Sequence, residues 1–234
     1  MSLRNYKSVA ALALVLAVAV GPPVAQAAPK AAVSEQQELV DESRVAFGHF
    51  RDDPSLTWFR EHERQALGFL IVSKAVRVGF VFGGSGGRAV LVAKGDAGEW
   101  NGPSFYTVGT ASVGFQAGVD VSEIVVLVMT KKGMDSLLST TVKAGVDASF
   151  AAGPVGVGTG TAPKPDADFV YYSRSKGLYG GVSLQGAVIK PTDDWNKEYY
   201  GQIVSPIDII VRGSFRNPGA KRLLETIENA NRRS

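Results

Sequence analysis

The spacing of apolar positions changes along the chain, and each change marks an element. Leu39, Ala46, Phe47 and Phe50 recur at helical spacing and predict a helix with one apolar face. Ser34 opens it, and Gln37 completes a capping box, in which each side chain satisfies the other's free backbone N–H. Asp53-Pro54 predicts a second helix start, with Asp53 as N-cap and Pro54 where a missing N–H costs nothing. Leu56, Phe59 and the stretch to Leu67 continue it, giving a helical pair.

From Gly68 the runs become strand-sized. Apolar and β-branched segments at 68–72, 89–93, 105–108, 112–118, 124–129, 142–150, 169–173 and 178–189 alternate with glycine clusters. Most of the 27 glycines fall between Gly68 and Gly201, several of them inside the runs. Glycine inside a sheet marks a bulge, a bend or a close backbone approach. The pattern predicts a strongly bent, barrel-like antiparallel sheet, with a Pro-containing hairpin connection at 159–167. Residues 74–81 read as a helical turn in preference to a strand.

Three further helices are expected. Met134, Leu137 and Leu138 define one at 133–140, and Asp193-Asp194 place acidic charge at the start of another leading into 195–200. The third spans 218–230, with Asn217 as N-cap, Pro218 at the first position, and Ala220, Leu223, Leu224 and Ile227 on one face. The expected fold class is α+β. An N-terminal helical pair packs on a curved, glycine-rich antiparallel sheet, and a C-terminal helix closes it. This forms a single domain over 34–234, after a short flexible segment at 28–33.

The first residues carry an address. Arg4 and Lys7 precede an uncharged apolar stretch at 8–20, Pro22 and Pro23 break it, and Ala25-Gln26-Ala27 has the small-x-small cleavage pattern. The apolar stretch is shorter than the ~20 residues of a spanning helix. The expectation is a signal peptide over 1–27, cleaved near Ala27, and an exported protein, periplasmic or secreted. The absence of cysteine excludes disulfides, thiolate metal sites and a lipid-modified cysteine. Arg4 and Lys7 supply two of the +3 net charges, so the remainder is close to neutral. Bulk attraction to nucleic acid is not expected, and anion binding must come from local clusters.

Gly83-Gly84-Ser85-Gly86-Gly87 matches the G-x-S-x-G nucleophile elbow, and Gly84 to Ala89 matches G-x-G-x-x-A. Both motifs need a helix immediately afterwards, whereas 88–93 reads as strand. The two histidines, His49 and His62, both precede Ser85, so the serine, acid, histidine order of that elbow cannot arise. A turn between strands is the expected role. His49 and His62, with Asp52 or Glu61, lack the tight spacing of zinc ligands, and no metal or cofactor is expected. Asp193, Asp194 and Glu198 form an acidic patch of the kind that pairs carboxylates in glycosidases; the helix-start reading explains them better. No catalytic residue is assigned. Basic residues fall in small groups, among them Lys74 with Arg77, Arg88, and Lys131-Lys132. The last pair lies between an apolar strand and a helix, whose N-terminus attracts anionic groups.

A set of phrases carries a family resemblance. They are Gly68-Phe-Leu-Ile-Val72, Val78-Gly-Phe-Val-Phe-Gly-Gly84, Trp100-Asn-Gly-Pro-Ser-Phe105, Ser112-Val-Gly-Phe-Gln-Ala-Gly118, Val125-Val-Leu-Val-Met-Thr130, Gly180-Gly-Val-Ser-Leu-Gln-Gly186 and Tyr199-Tyr-Gly201. In this order they resemble the SYLF lipid-binding domain family. The resemblance implies phospholipid binding without catalysis, with phosphoinositides favoured in eukaryotic relatives and actin bound by some. Relatives often carry a proline near Val72-Ser73-Lys74, and an aromatic and an acid near Ser85-Gly-Gly-Arg88; this chain has neither. The expected function is binding of anionic phospholipid or an envelope membrane surface, with Lys74, Arg77, Arg88, Lys131 and Lys132 meeting the head groups. The alternative is a protein-interaction or structural module of the cell envelope, engaging an envelope or host protein by strand addition.

Overall fold

The computed structural model describes residues 33–79, 82–113, 118–156, 163, 166–175, 177–179 and 183–233. The expected signal peptide, most of the flexible start, positions 114–117 of one predicted strand and most of 159–167 lie outside the described residues.

Helix α1 is Glu35–Arg51, and its N-cap Ser34 accepts the Gln37 backbone N–H at 3.2 Å. The second half of the expected capping box is absent. The Gln37 amide instead donates to Gly219 O at 3.0 Å, and its oxygen accepts the Tyr199 hydroxyl at 3.3 Å. Helix α2, Thr57–His62, starts later than Asp53-Pro54 predicts. Asp53 does not cap it. Its Oδ1 accepts the Ser55 N–H at 2.8 Å and the Ser55 hydroxyl at 2.6 Å, a local turn that competes with helix initiation.

The strands follow in chain order: β1 Gly68–Gly79, β2 Phe82–Lys94, β3 Trp100–Val113, β4 Gly118–Val128, then, after helix α3 at Lys131–Leu138, β5 Val142–Lys143, β6 Phe150–Ala152, β7 Phe169–Ser175, β8 Leu178–Tyr179 and β9 Val188–Pro191. Helix α4 is Asp193–Tyr200, and a 3-10 turn at Pro218–Ala220 runs into α5, Lys221–Arg233. Between them lies a π-helical turn, Ile207–Val211, that no sequence pattern predicts. The strands form one sheet in the order β5-β9-β3-β2-β1-β4-β7-β6, with β8 beside β7, curled into a half-barrel.

Several expectations need correction. The sheet is mixed, because β6 runs parallel to β7, so the segment joining them is a crossover and not a hairpin connection. Residues 142–150 and 178–189 each break into short strands. Residues 74–79 continue β1 and are not helical. The register of β1 shifts against β2 between Ile71 and Val76, and against β4 between Val72 and Ala75. This bulge interrupts the strand alternation that would have identified it.

The glycine cluster at 83–87 is also strand, paired in register with β3 on one side and, over most of its length, with β1 on the other. At Gly87 a Cβ would sit 2.4 Å from Lys74 O and 2.8 Å from Val72 Cγ1. Only glycine lets β2 pass this close to the bulge.

Both faces of the sheet are covered. Phe69, Ile71, Val90, Val92, Phe105, Val125 and Leu127 pack beneath Phe47, Phe50, Phe59, Leu223 and Ile227 of the helices. Leu70, Val72, Leu91, Tyr106, Val126 and Val128 pack on the other side with Leu137, Ile189, Ile209 and Ile210. A strand buried on both faces reads as a continuous apolar run, which is why these central segments were legible.

Candidate functional site

Ser85 lies inside β2, with its Oγ 2.6 Å from Thr110 Oγ1 on β3. His49 Nδ1 lies 2.9 and 3.0 Å from the two carboxylate oxygens of Glu123. The ring of His62 stacks on Trp58 at 3.9 Å, and its Nδ1 lies 2.9 Å from Trp58 O. Among the described residues no three His, Cys, Asp or Glu side chains gather as a metal site. Asp193 and Asp194 occupy the first turn of α4, and Glu198 accepts a hydrogen bond from Gln36 of α1.

The five expected head-group contacts fall in three places. Lys74 sits at the β1 bulge, and its ammonium donates to Glu42 of α1. That bond raises the Lys74 pKa above its ordinary value despite partial desolvation. Arg88 of β2 stacks its guanidinium 4.3 Å above the Trp195 ring of α4. Lys74 and Arg88 line one groove of about 230 Å³ with Glu35, Glu38 and Glu42. Arg77 is opposite Ser85 and Asp120 in register. Alternation along β2 puts Ser85, and hence Arg77, on the opposite face from Arg88.

Lys131 and Lys132 form the first turn of α3. Thr130 is its N-cap and accepts the Gly133 N–H at 3.0 Å. Lys131 pairs with Asp135 at 3.2 Å and Lys132 with Asp168 at 3.4 Å. Asp168 is buried between α3 and β6. It accepts the Thr130 hydroxyl at 2.5 Å, and the Ser149 N–H and hydroxyl at 2.9 and 3.0 Å. Burial pushes its carboxyl up, but these bonds together with the Lys132 charge outweigh it and leave the pKa below the ordinary value.

Other cations lie on segments at the end of the sheet from which α3 leaves. The Leu67 N–H donates to Val128 O at 2.8 Å, and the Lys94 N–H donates to Leu67 O at 2.9 Å. These bonds gather the segment before β1, the end of β2 and the end of β4. The Lys94 ammonium donates to Arg64 O at 3.0 Å and lies 5.3 Å from the Trp100 ring centre. Partial burial lowers its pKa. Arg64 in turn donates to Arg232 O at 3.2 Å, at the end of α5. Among the described residues neither Arg64 nor Lys94 has a carboxylate within ion-pair distance. Sequence reasoning missed Arg64 and Lys94 because each stands alone in the chain, and only strand pairing places them at the end of the sheet from which α3 leaves.

The profile of the Ysc84 family, described as Las17-binding protein actin regulator, matches residues 109–230. The chain is similar to LAS seventeen-binding protein 3 of Saccharomyces cerevisiae, at 31% identity over 162 residues, covering 67% of this chain and 35% of that protein. It is similar to Protein YSC84 of the same yeast, at 30% over 172 residues, covering 71% and 36%. It is also similar to human SH3 domain-containing YSC84-like protein 1, at 27% over 168 residues, covering 70% and 49%. The chain thus spans between about a third and a half of the length of these relatives.

Proposed function

The chain belongs to the Ysc84, or SYLF, family, and from that premise we propose that it binds anionic phospholipid at a membrane surface of the cell envelope and catalyses nothing there. The carrying observation is that Arg64, Lys94, Lys131, Lys132 and Arg232 all lie on segments at one end of β1, β2 and β4. Each lysine or arginine near an anionic surface contributes about 1 kcal/mol, and salt screens it. Trp100 beside Lys94 adds an amphipathic ring suited to the head-group layer. Lys131 and Lys132 make the principal contact in this reading. Lys74, Arg77 and Arg88 lie elsewhere on the sheet and contribute less in this reading. The leader-like stretch at 1–27 supports export to a periplasmic or extracellular space. Among the described residues no helix is long and apolar enough to cross a membrane.

The test is sedimentation of the whole protein with vesicles of phosphatidylglycerol and phosphatidylcholine, against phosphatidylcholine alone. Binding is expected only to the anionic vesicles, weakening with salt. The double change Lys131→Glu, Lys132→Glu should lower it about tenfold or more. Equal pelleting of variant and native protein rejects the reading.

A second reading rests on the relatives' names, which describe binding to a protein. In it the domain is an interaction module for an envelope or host protein. Co-purification of one defined envelope protein at unit stoichiometry, with no vesicle pelleting, selects it.

A further inference from the structure

The outer edge of β3 is covered over only part of its length. The Phe105 N–H points outward to Asn196 Oδ1, and Phe105 O accepts the Thr192 N–H, at 2.9 Å each. In an antiparallel strand every second residue turns both backbone groups to the same side. Strand β3 pairs with β2 without a register shift from Phe105 to Val113. Thr107 and Gly109 therefore turn theirs to Lys190 and Val188 of β9. Ala111 and Val113 come next in the same outward row.

Strand β9 does not reach them. Gly186 turns the chain there, at a φ of 75°. Its N–H donates to Ala144 O at 3.0 Å, and Ala187 O accepts the Ala144 N–H at 2.8 Å. The residues before Val188 thus leave β3 for the segment after β5. Among the described residues no backbone group covers the outer edge of 110–113. On the other flank, β7 covers β4 only from Ser122 onward, and Asp120 sets a charge beside the uncovered end. Its carboxylate accepts the Ser122 and Ser175 hydroxyls at 3.3 and 2.6 Å. A charge of this kind guards an edge against another strand. Strand β3 has no such guard, since 104–119 contains neither a charged residue nor a proline.

We infer that this edge pairs with the same edge of a second copy of the chain. A row of alternating donors and acceptors at strand spacing fits an extended backbone. The open row is symmetrical about Ser112, as self-pairing requires. With Ser112 on a two-fold axis, Ala111 of each copy faces Val113 of the other, and both pairs exchange N–H to O=C bonds. No like charges meet on that axis, whereas an axis at Asp120 of β4 would oppose two carboxylates. The open stretch has the same length in both copies, so each β3 lies in line with the other's β9 without displacing it. The contact does not depend on the membrane reading.

The test uses the whole protein without vesicles. Sedimentation velocity between about 10 µM and 1 mM is expected to show a monomer–dimer equilibrium. It should be weak, because so short a ladder buries far less than the roughly 1,200 Å² of a stable interface. Ala111→Pro removes one outward N–H and leaves the β2 ladder intact, a position where an edge strand tolerates proline. It should weaken the dimer at least tenfold with little change in the urea midpoint. The chain has no cysteine, so Ser112→Cys introduces a single thiol. Residues facing each other in a non-hydrogen-bonded pair hold their Cα atoms about 4.5 Å apart, within disulfide reach. This variant should oxidise to a covalent dimer at least tenfold faster than Glu225→Cys, which places a thiol on the exposed side of α5. A monomer at every concentration, native-like dimerisation of Ala111→Pro, or equal oxidation rates overturns the proposal. Should Ala111→Pro fail to fold, Ser112→Lys sets like charges on the axis and is expected to abolish the dimer; its persistence in that variant overturns the proposal as well.

Discussion

Asn196 of α4 completes the edge of β3, its Oδ1 accepting the Phe105 backbone N–H at 2.9 Å. Strand β9 pairs with β3 only from Tyr106 to Gly109, so α4 takes over below it. The Thr192 N–H donates to Phe105 O at 2.9 Å, and Ser104 Oγ lies 3.4 Å from Asn196 Oδ1. A helix side chain thereby replaces a missing strand. Asn196→Leu would leave the Phe105 N–H buried without a partner, at a cost of about 1–3 kcal/mol. The urea midpoint should fall with the denaturant slope unchanged. An unaltered midpoint would show that another group covers this edge.

The glycines of the sheet are not equivalent. Gly87→Ala drives a methyl group into Lys74 O at the β1 bulge, and should destabilise by about 1–3 kcal/mol. Gly109 has nothing within 4 Å of an added Cβ, so Gly109→Ala should change stability by less than about 0.5 kcal/mol. Thermal melts of the two variants side by side test this. Similar losses in both would mean that backbone freedom, and not the close approach at the bulge, decides the residue.

Asp168 makes stability depend on acid. Its folded pKa lies below the ordinary carboxylate value of 3.8, so the unfolded chain takes up the proton first as pH falls. Its contribution is fully present above that value and is lost as pH falls through it toward the lower folded pKa. Asp168→Asn should flatten this limb of the urea midpoint against pH. At neutral pH it should cost about 1–3 kcal/mol, through weaker bonds to Thr130 and Ser149. Asp53 and Asp208 are lowered as well, chiefly by bonds from Ser55 and Ser205, so some acid sensitivity should survive. An acid limb identical to the native one would remove Asp168 from this role.

Phe47 joins the helical pair to the sheet. Its ring meets Phe69 of β1 edge-on at 5.0 Å and Phe59 of α2 at 6.0 Å, and it is fully buried. Phe47→Ala should cost about 3–5 kcal/mol, read as a lowered midpoint in denaturant. A loss below about 1 kcal/mol would mean that α1 can settle into the space.

The helix starts at Ser34 and Asn217 were legible because a cap is a contact within three residues. The central strands were legible because burial on both faces leaves an unbroken apolar run in β1, β2 and β4. The same local rules misread Asp53, whose side chain closes a turn with Ser55 where a helix cap was expected. They misread 74–79, where the bulge at Ser73 and Lys74 breaks the alternation. Lys131-Lys132 stood out as a pair, whereas Arg64 and Lys94 carry no local signal at all.

By itself the chain's order of residues determined the α+β class, the helical pair, the glycine-rich sheet and the family, since periodicity, caps and glycine punctuation are written over short spans. Tertiary structure alone decided the parallel placement of β6, which face each basic residue occupies, and the placement of Arg64 and Lys94 at the end of the sheet from which α3 leaves. Those outcomes follow from strand register and from hydrogen bonds between distant segments. A one-residue bulge, as in β1, is enough to change them, because a shift of one position turns every later side chain to the other face.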